Sequence, residues 1–306
     1  MLKNQKILLT GAAGQIGFPL GEYLAADNEV WAVARFTAPG SRERCEKAGM
    51  HPFVLDLTSG DFTGLPDDFD YLLHFAVFQL GGADYDHALQ VNAEGTALLM
   101  AHCRRAKACL VMSTCAVYDN QSDPRHAFCE SDPLGDSHQP YSPTYAVSKI
   151  AQEAVARSCA RLYALPTTIA RMNVSYSANG GMPAYHMDAI LRGEAISLPP
   201  GGEAWFTCIH QDDINRQVAG LLSAASVPAT VVNWGGDEAV EVRSWCQYLG
   251  ELVGREVRFR EEESAIPSRV TDNRRRIELV GPCQLGWREG LSAVLRERYP
   301  EIIPPA

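Results

Sequence analysis

The first thirty residues leave the backbone few choices. An apolar run, "KILLT" (6–10), leads at once into Gly11, Gly14 and Gly17, then into the amphipathic segment "FPLGEYLAA" and a second apolar run at 30–34. Strand, glycine turn, helix and strand at this pitch are the parts of a βαβ unit whose first turn wraps a phosphate. Gly11 permits the tight turn, Gly14 lets backbone N–H groups approach a pyrophosphate, and Gly17 lets helix and strand pack closely. The helix N-terminus adds positive potential. Glycine also opens helices that bind nothing, so the motif needs its context.

That context continues. Strand-like runs recur at 30–34 ("VWAVA"), 51–55 ("HPFVL"), 71–75 ("YLLHF"), 108–113 ("ACLVMS") and 167–171 ("TTIAR"). Helical patterns at 15–26, 41–48, 86–105 and 145–164 fall between them. The alternation predicts an α/β fold with a doubly wound parallel Rossmann sheet. Uninterrupted apolar stretches such as "ILL" and "YLL" suit strands buried on both faces. After residue 171 Gly and Pro punctuate 179–202, helices are expected at 212–224, 243–253 and 286–298, and "TVVNW" (230–234) reads as a strand returning to the sheet edge. The expected division is a dinucleotide-binding domain, 1–171, and a smaller C-terminal substrate lobe, 172–306, with no clean linker.

Composition removes several function classes. With 46% hydrophobic and 21% charged residues, the 306-residue chain suits a globular protein with a sizeable core. A net charge of −10 argues against nucleic-acid or anionic-membrane partners. The nine cysteines contain no Cys-x-x-Cys pair, and several sit in apolar stretches, as small core residues do in a reducing compartment. The eight histidines lack ligand spacing, so no metal is expected. The N-terminal apolar run is too short for a signal-peptide core, and no apolar stretch of about 18 residues occurs. A cytoplasmic location follows as the expectation.

A second constellation lies in "YSPTYAVSKIAQEAV", with Tyr145 and Lys149 four residues apart. On a helix these share one face. A phenol titrating near 10 is a poor base at neutral pH. A cation about 4 Å away, at an effective dielectric near 20, contributes about 4 kcal/mol, equivalent to about three pKa units. Lys149, helped by an oxidised nicotinamide, would thus bring Tyr145 towards 7, where it can exchange a proton with a substrate hydroxyl or carbonyl.

The Gly-x-x-Gly-x-x-Gly turn behind Thr10, taken with this Tyr-Lys pair, resembles the extended branch of the short-chain dehydrogenase/reductase superfamily, the NAD(P)-dependent epimerase/dehydratase family. The resemblance implies cofactor contacts for Gly11, Gly14, Gln15, Ile16, Gly17, Tyr145 and Lys149. Asp56, with Leu57 beside it, matches the acid that meets adenine, although Asp56 equally suits an N-cap. Phe75–Ala76 in "LLHFAV" take the place of the family's His-Leu-Ala-Ala run. Asn92 in "VNAEGT" and Ser113 in "VMSTCAVY" complete the implied cofactor set, and Thr114 would be the catalytic hydroxyl that holds the reacting oxygen. Asn173 in "ARMNVSYSANGG" (170–181), "CIHQDDI" (208–214) and "NWGG" (233–236) extend the likeness, with Thr114, Asn173 and Phe206 as substrate contacts.

The departures bear on substrate. Ala34 stands where an NAD site carries an acid, followed by Arg35 with Arg42 nearby, which favours NADP over NAD. Cys115–Ala116 replace the carboxylates of sugar-nucleotide dehydratases and decarboxylases, which disfavours those reactions. Phe206 stands where nucleotide-sugar epimerases carry a diphosphate-binding Arg. Either Arg269 or Arg274–Arg276 substitutes, or the substrate is less charged and meets an apolar wall of Trp205 and Phe206. The segment 119–140 reads as an insertion over the substrate mouth or an inert surface loop. The leading expectation is an oxidoreductase moving hydride between a secondary alcohol or ketone and NAD(P). The alternatives are a UDP-sugar-type 4-epimerase with retained NAD and a non-catalytic dinucleotide sensor. A stripe of Ala151, Val155, Cys159 and Leu162 suggests a homodimer or simply core.

Overall fold

A computed structural model describes residues 2–79, 83–135 and 142–302. Seven of the expected runs form one parallel sheet: β1 (Lys6–Thr10), β2 (Glu29–Ala34), β3 (His51–Val54), β4 (Tyr71–His74), β5 (Ala108–Thr114), β6 (Thr167–Met172) and β7 (Thr230–Trp234). Their spatial order is β7-β6-β5-β4-β1-β2-β3, so "TVVNW" does close one edge. Thr10 pairs with Val33 on one side and His74 on the other, which brings three strand ends to one level. The order reverses at β1 and β4, and in such sheets ligands bind outside the carboxyl ends at that reversal.

The chain divides into two compact units. The first holds residues up to Asp119, Pro133–Arg171 and Ile214–Val232, and the second holds Asn120–Asp132, Met172–Asp213 and the chain from Asn233. In the first unit, α1 (Gly17–Ala25) and α2 (Ser41–Lys47) follow β1 and β2. The long helix expected over 86–105 is interrupted: α3 (Tyr85–Leu89) and α4 (Gly95–His102) flank a π-helical stretch, Gln90–Glu94. The Thr96 hydroxyl donates to the Asn92 carbonyl at 2.6 Å, taking the acceptor that the N–H four residues on would claim in a regular α-helix. Then comes α5 (Tyr145–Tyr163), on which Cys159 is core, Val155 packs against it and Leu162 is 76% exposed. Leu8, Leu72, Val111 and Ile169 fill the sheet side of this core, and α7 (Gln211–Ser223) contributes its apolar face to the same unit.

The second unit contains α6 (Met182–Arg192), α8 (Val242–Val253), α9 (Arg274–Val280) and α10 (Trp287–Arg298), around Phe206, Trp245 and Leu291. Two helices lie outside the expected helical spans. Pro183 lies in the first turn of α6, where its missing N–H costs nothing, so a residue read as punctuation is a helix start. The arginine run 274–276 opens the short α9. Pairs of two- and three-residue strands, such as Ala127–Phe128 with Val270–Thr271, are too short to carry a periodic signal.

His74 locks the strand reversal. It is fully buried; Nδ1 lies 2.7 Å from Thr10 Oγ1, and Nε2 lies 2.8 Å from Thr96 Oγ1. Thr10 Oγ1 already accepts from the N–H groups of Phe75 and Ala76, so its proton goes to His74 Nδ1. Nε2 therefore carries the ring proton and donates it to Thr96. Burial, with the Lys149 charge adding, lowers the His74 pKa to about 3. The unfolded chain takes this proton near 6.5. The stabilisation is complete above 6.5 and is lost as pH falls towards 3. Urea titrations between pH 6.5 and 4 should show wild-type stability falling more steeply than that of His74→Gln, by up to about 1.4 kcal/mol per pH unit. Equal slopes would mean that His74 is protonated in the folded protein.

Candidate active site

At the head of the sheet the glycine turn is built by close approach. Gly11 has φ +70°, and a Cβ there would sit 2.8 Å from the backbone of Phe75 and Ala76. A Cβ on Gly17 would lie 2.3 Å from the Gly11 carbonyl. These two positions hold β1, the segment after β4 and α1 together. Gly14 differs. It is exposed, and a Cβ would meet only the Gly11 carbonyl, at 3.1 Å. A methyl there would crowd that carbonyl by only a few tenths of an ångström, so the fold itself does not demand glycine at this position, which lies where a phosphate would approach. Gln15 and Ile16 are half-buried beside it, Ile16 being the residue before α1.

Around the turn, Phe75 is buried and Ala76 half-buried. Arg35 is exposed just beyond β2, and Arg42 lies 3.4 Å from Glu46. Asp56 caps a short 3-10 turn, Leu57–Ser59, by accepting from the N–H and hydroxyl of Thr58 at 2.9 and 2.8 Å. Those bonds hold its carboxyl below the usual range, with Arg35 adding to the effect. The capping role raised in the sequence is thus present, with the carboxylate exposed. The Leu57 side chain is core, packed where a Cβ on Gly95 would come within 2.9 Å. Asn92 is fully buried. Its amide accepts from the Phe78 N–H and donates to the Phe78 carbonyl and to Ser148 Oγ, and Ser148 in turn donates to the Tyr145 carbonyl.

Tyr145 begins α5, and Lys149 follows one turn later on the same face. Lys149 is 1% exposed and donates from Nζ to the Met112 carbonyl on β5 at 2.7 Å. Burial lowers its pKa to about 7, against an upward push from Glu153. Burial thus works against the charge that the Tyr-Lys spacing calls for, and Glu153 works for it. Ser113 and Thr114 follow Met112 at the end of β5. Thr114 Oγ1 accepts from the Ala116 N–H at 3.1 Å. Ser113 Oγ donates to Glu153 at 2.6 Å, and Glu153 receives both Nε and Nη2 of Arg171 at 2.9 and 2.7 Å. Glu153, Arg171 and His74 were not singled out in the sequence. The one available signal was that Glu153 follows Lys149 at the same i+4 step by which Lys149 follows Tyr145.

In the second unit, Asn173 is buried and donates to the Arg269 carbonyl at 2.8 Å, while its own carbonyl oxygen accepts from the Val174 N–H. Phe206 is turned into the core, 2% exposed, with its ring 6.1 Å from Trp245. Of the arginines considered as a phosphate clamp, Arg274 is held by Asp272, and Arg276, with no exposure, by Asp237 and the Gly281 carbonyl. Arg269 donates to the Asn120 side chain and the Ser268 carbonyl. The insertion expected over 119–140 lies in part outside the described residues. Among the described residues no cluster of His, Cys, Asp or Glu is arranged to hold a metal ion, and no helix is long and apolar enough to cross a membrane.

The NAD dependent epimerase/dehydratase family model matches residues 7–235, about three quarters of the chain. The chain belongs to that family. No curated protein matches it. Solved structures that resemble it include UDP-N-acetylglucosamine 4-epimerase from Methanobrevibacter ruminantium M1, with TM-score 0.82, 20% identity and coverage of 96% of this chain and 98% of that one. UDP-glucuronic acid 4-epimerase from Bacillus cereus has TM-score 0.81, 21% identity and coverage of 96% and 100%. dTDP-glucose 4,6-dehydratase from Bacillus anthracis, solved with NAD, has TM-score 0.81, 18% identity and coverage of 98% and 97%. At these identities the likeness is one of fold. Membership of the epimerase/dehydratase family makes the chain an enzyme of the extended short-chain type, with the strand–turn–helix context that a dinucleotide requires.

The three glycines should separate by experiment. Gly17→Ala is expected to destabilise the fold severely, because its methyl would strike backbone. Gly14→Ala should keep a near-native melting temperature and weaken dinucleotide binding about tenfold or more by calorimetry. Unchanged affinity in a folded Gly14→Ala protein would remove the phosphate role.

Proposed function

We propose that this family member uses NAD(P) to move hydride at a secondary alcohol or ketone carbon, with Tyr145 as general acid/base. The single observation that carries this reading is the buried Lys149, one helical turn beyond Tyr145 and bonded to the strand that ends in Thr114. Thr114 would hold the reacting oxygen, Tyr145 would take or return its proton, and Lys149 would stabilise the phenolate. The Gly11–Gly17 turn would hold the pyrophosphate. Bound nicotinamide would supply the hydride acceptor or donor. Asp56, Phe75, Ala76, Asn92 and Ser113 fall to the cofactor side of this arrangement.

For the 2′ position of the dinucleotide we propose NADP. Ala34 leaves no carboxylate to repel a phosphate, and among the described residues Arg35 is committed to no salt bridge, whereas Arg42 is paired with Glu46. The solved neighbour from Bacillus anthracis holds NAD, which makes the comparison decisive to run.

Two substrate readings divide on charge. Arg274 and Arg276 are held by carboxylates, and Phe206 fills the place of the usual arginine, which supports a substrate without a diphosphate and a net oxidoreduction. The named ligand of the Bacillus cereus epimerase, UDP-glucuronic acid, supports a nucleotide-sugar 4-epimerase, with Arg269 and Arg275 as the remaining clamp candidates. We place the enzyme in the cytoplasm, as a homodimer.

Tyr145→Phe should lower turnover at least about a thousandfold with coenzyme affinity nearly unchanged, and intact turnover would refute the acid/base role. Arg35→Ala should weaken NADP about tenfold or more and leave NAD within about twofold, checked by thermal shift and calorimetry. A net oxidoreductase will consume or produce NAD(P)H with alcohols or ketones, whereas an epimerase will interconvert UDP-sugars with no net change in nicotinamide absorbance.

A further inference from the structure

We infer that Glu153, clamped by Arg171 and Ser113, is a positioning residue for proton transfer, keeping Lys149 an ammonium inside the protein and fixing the Thr114 strand against the Tyr145 helix. This rests on the proposed acid/base role of Tyr145. The groups concerned come from three elements of the first unit. From α5 come Tyr145, Lys149 and Glu153; from β5, Met112, Ser113 and Thr114; from β6, Arg171. Lys149, Glu153, Arg171 and Ser113 are each no more than 3% exposed. The guanidinium of Arg171 also stacks 4.8 Å from the ring of Tyr118, which is fully buried.

As a stability device the cluster makes little sense. A buried ion pair barely offsets its own desolvation, and apolar side chains of similar size often do as well or better. Two features make sense of it as an electrostatic device. First, Glu153 meets three donors, two from Arg171 and one from Ser113, and each favours the ionised carboxylate, so a fixed negative charge survives in a dry interior. Second, that charge stands one turn beyond Lys149 on the same helix face, and it is the carboxylate that acts on the lysine. The other neighbours of Lys149 do not replace it. His74 on β4, which feels the Lys149 charge, is neutral at working pH, and the Met112 carbonyl is a dipole. The Ser113 bond carries the second half of the role. It pins the residue next to Thr114 to α5, so the reacting hydroxyl and the phenol are set by one carboxylate.

The test reads Lys149 directly. In protein labelled with 13Cε-lysine, five lysine signals are followed through pH, and the Lys149 signal is assigned by its loss in Lys149→Met. Glu153→Gln should lower the Lys149 midpoint by about one pH unit or more, with the other four unmoved. Glu153→Gln/Arg171→Met removes the pair without leaving an orphan charge, and should shift the midpoint in the same direction, so it decides the matter where the single variant does not fold. A midpoint within about 0.2 units of wild type in either folded variant would overturn the inference and leave Glu153 a structural residue. The pH profile supplies a second readout. Relative to wild type, turnover of Glu153→Gln should be near parity at pH 5 and reduced about tenfold at pH 8. The titration needs no substrate, so a shifted Lys149 midpoint combined with a fully active Tyr145→Phe would overturn the acid/base reading alone, and an unshifted midpoint with an inactive Tyr145→Phe would overturn this inference alone.

Discussion

A lysine ammonium in a protein interior loses its hydration, and the first unit is arranged so that Lys149 can carry one. Its Nζ has a single backbone acceptor on β5, burial pulls its titration down to about 7, and a fixed carboxylate one turn away pulls it back. That carboxylate is itself tolerable only because Arg171 and Ser113 bond it. The sequence of dependencies runs from β6 through α5 to β5, and each member brings a strand or helix with it. An ammonium held in place against its own desolvation is the charge that would stabilise a neighbouring phenolate.

A second set of bonds ties the glycine turn to the same helix. Thr10 directs its proton to His74, His74 to Thr96, and Thr96 to the Asn92 carbonyl, while the Asn92 amide reaches Ser148 and Ser148 reaches the Tyr145 carbonyl. Each hydroxyl has one proton and each is spent, so the two backbone N–H groups that occupy Thr10 determine the direction as far as the Asn92 carbonyl, and the donor-only Asn92 NH2 determines the rest. The π-helical stretch at Gln90–Glu94 is the local consequence, since it lets Asn92 turn its amide to Phe78 and Ser148. The turn that would hold a pyrophosphate and the helix that carries the phenol are thus set by one network, and a displaced Thr10 would be felt at Tyr145.

Specificity rests on weaker constraints. The family assignment covers the sheet and the Tyr-Lys helix, which are common to enzymes with different outcomes. In the proposed reading a few side chains separate those outcomes: Cys115–Ala116 without carboxylates, Ala34 and Arg35 where the ribose would lie, and Phe206 in place of an arginine. Arg276 shows how such a reading can mislead. Its position in a basic run suggests a ligand, yet it has no exposure and is matched to Asp237.

By itself the sequence determined the sheet, because parallel strands buried on both faces must be apolar throughout and short connections leave one winding. It also determined the glycine turn, since Gly11 and Gly17 have no alternative where backbone meets backbone, and it marked Tyr145, Lys149 and Thr114 by spacing along single elements. Tertiary structure alone decided what surrounds them. Glu153 and Arg171 are 18 residues apart and His74 and Thr10 are 64 apart, so no local pattern says which of them meet. The same holds for Phe206, whose aromatic ring would serve a wall or a core equally well until packing against Trp245 chose the core. Charge state follows the same rule. The spacing names the lysine, but only its burial and its neighbours set whether it holds a proton, because desolvation and Coulomb interaction depend on distance in space rather than on distance along the chain.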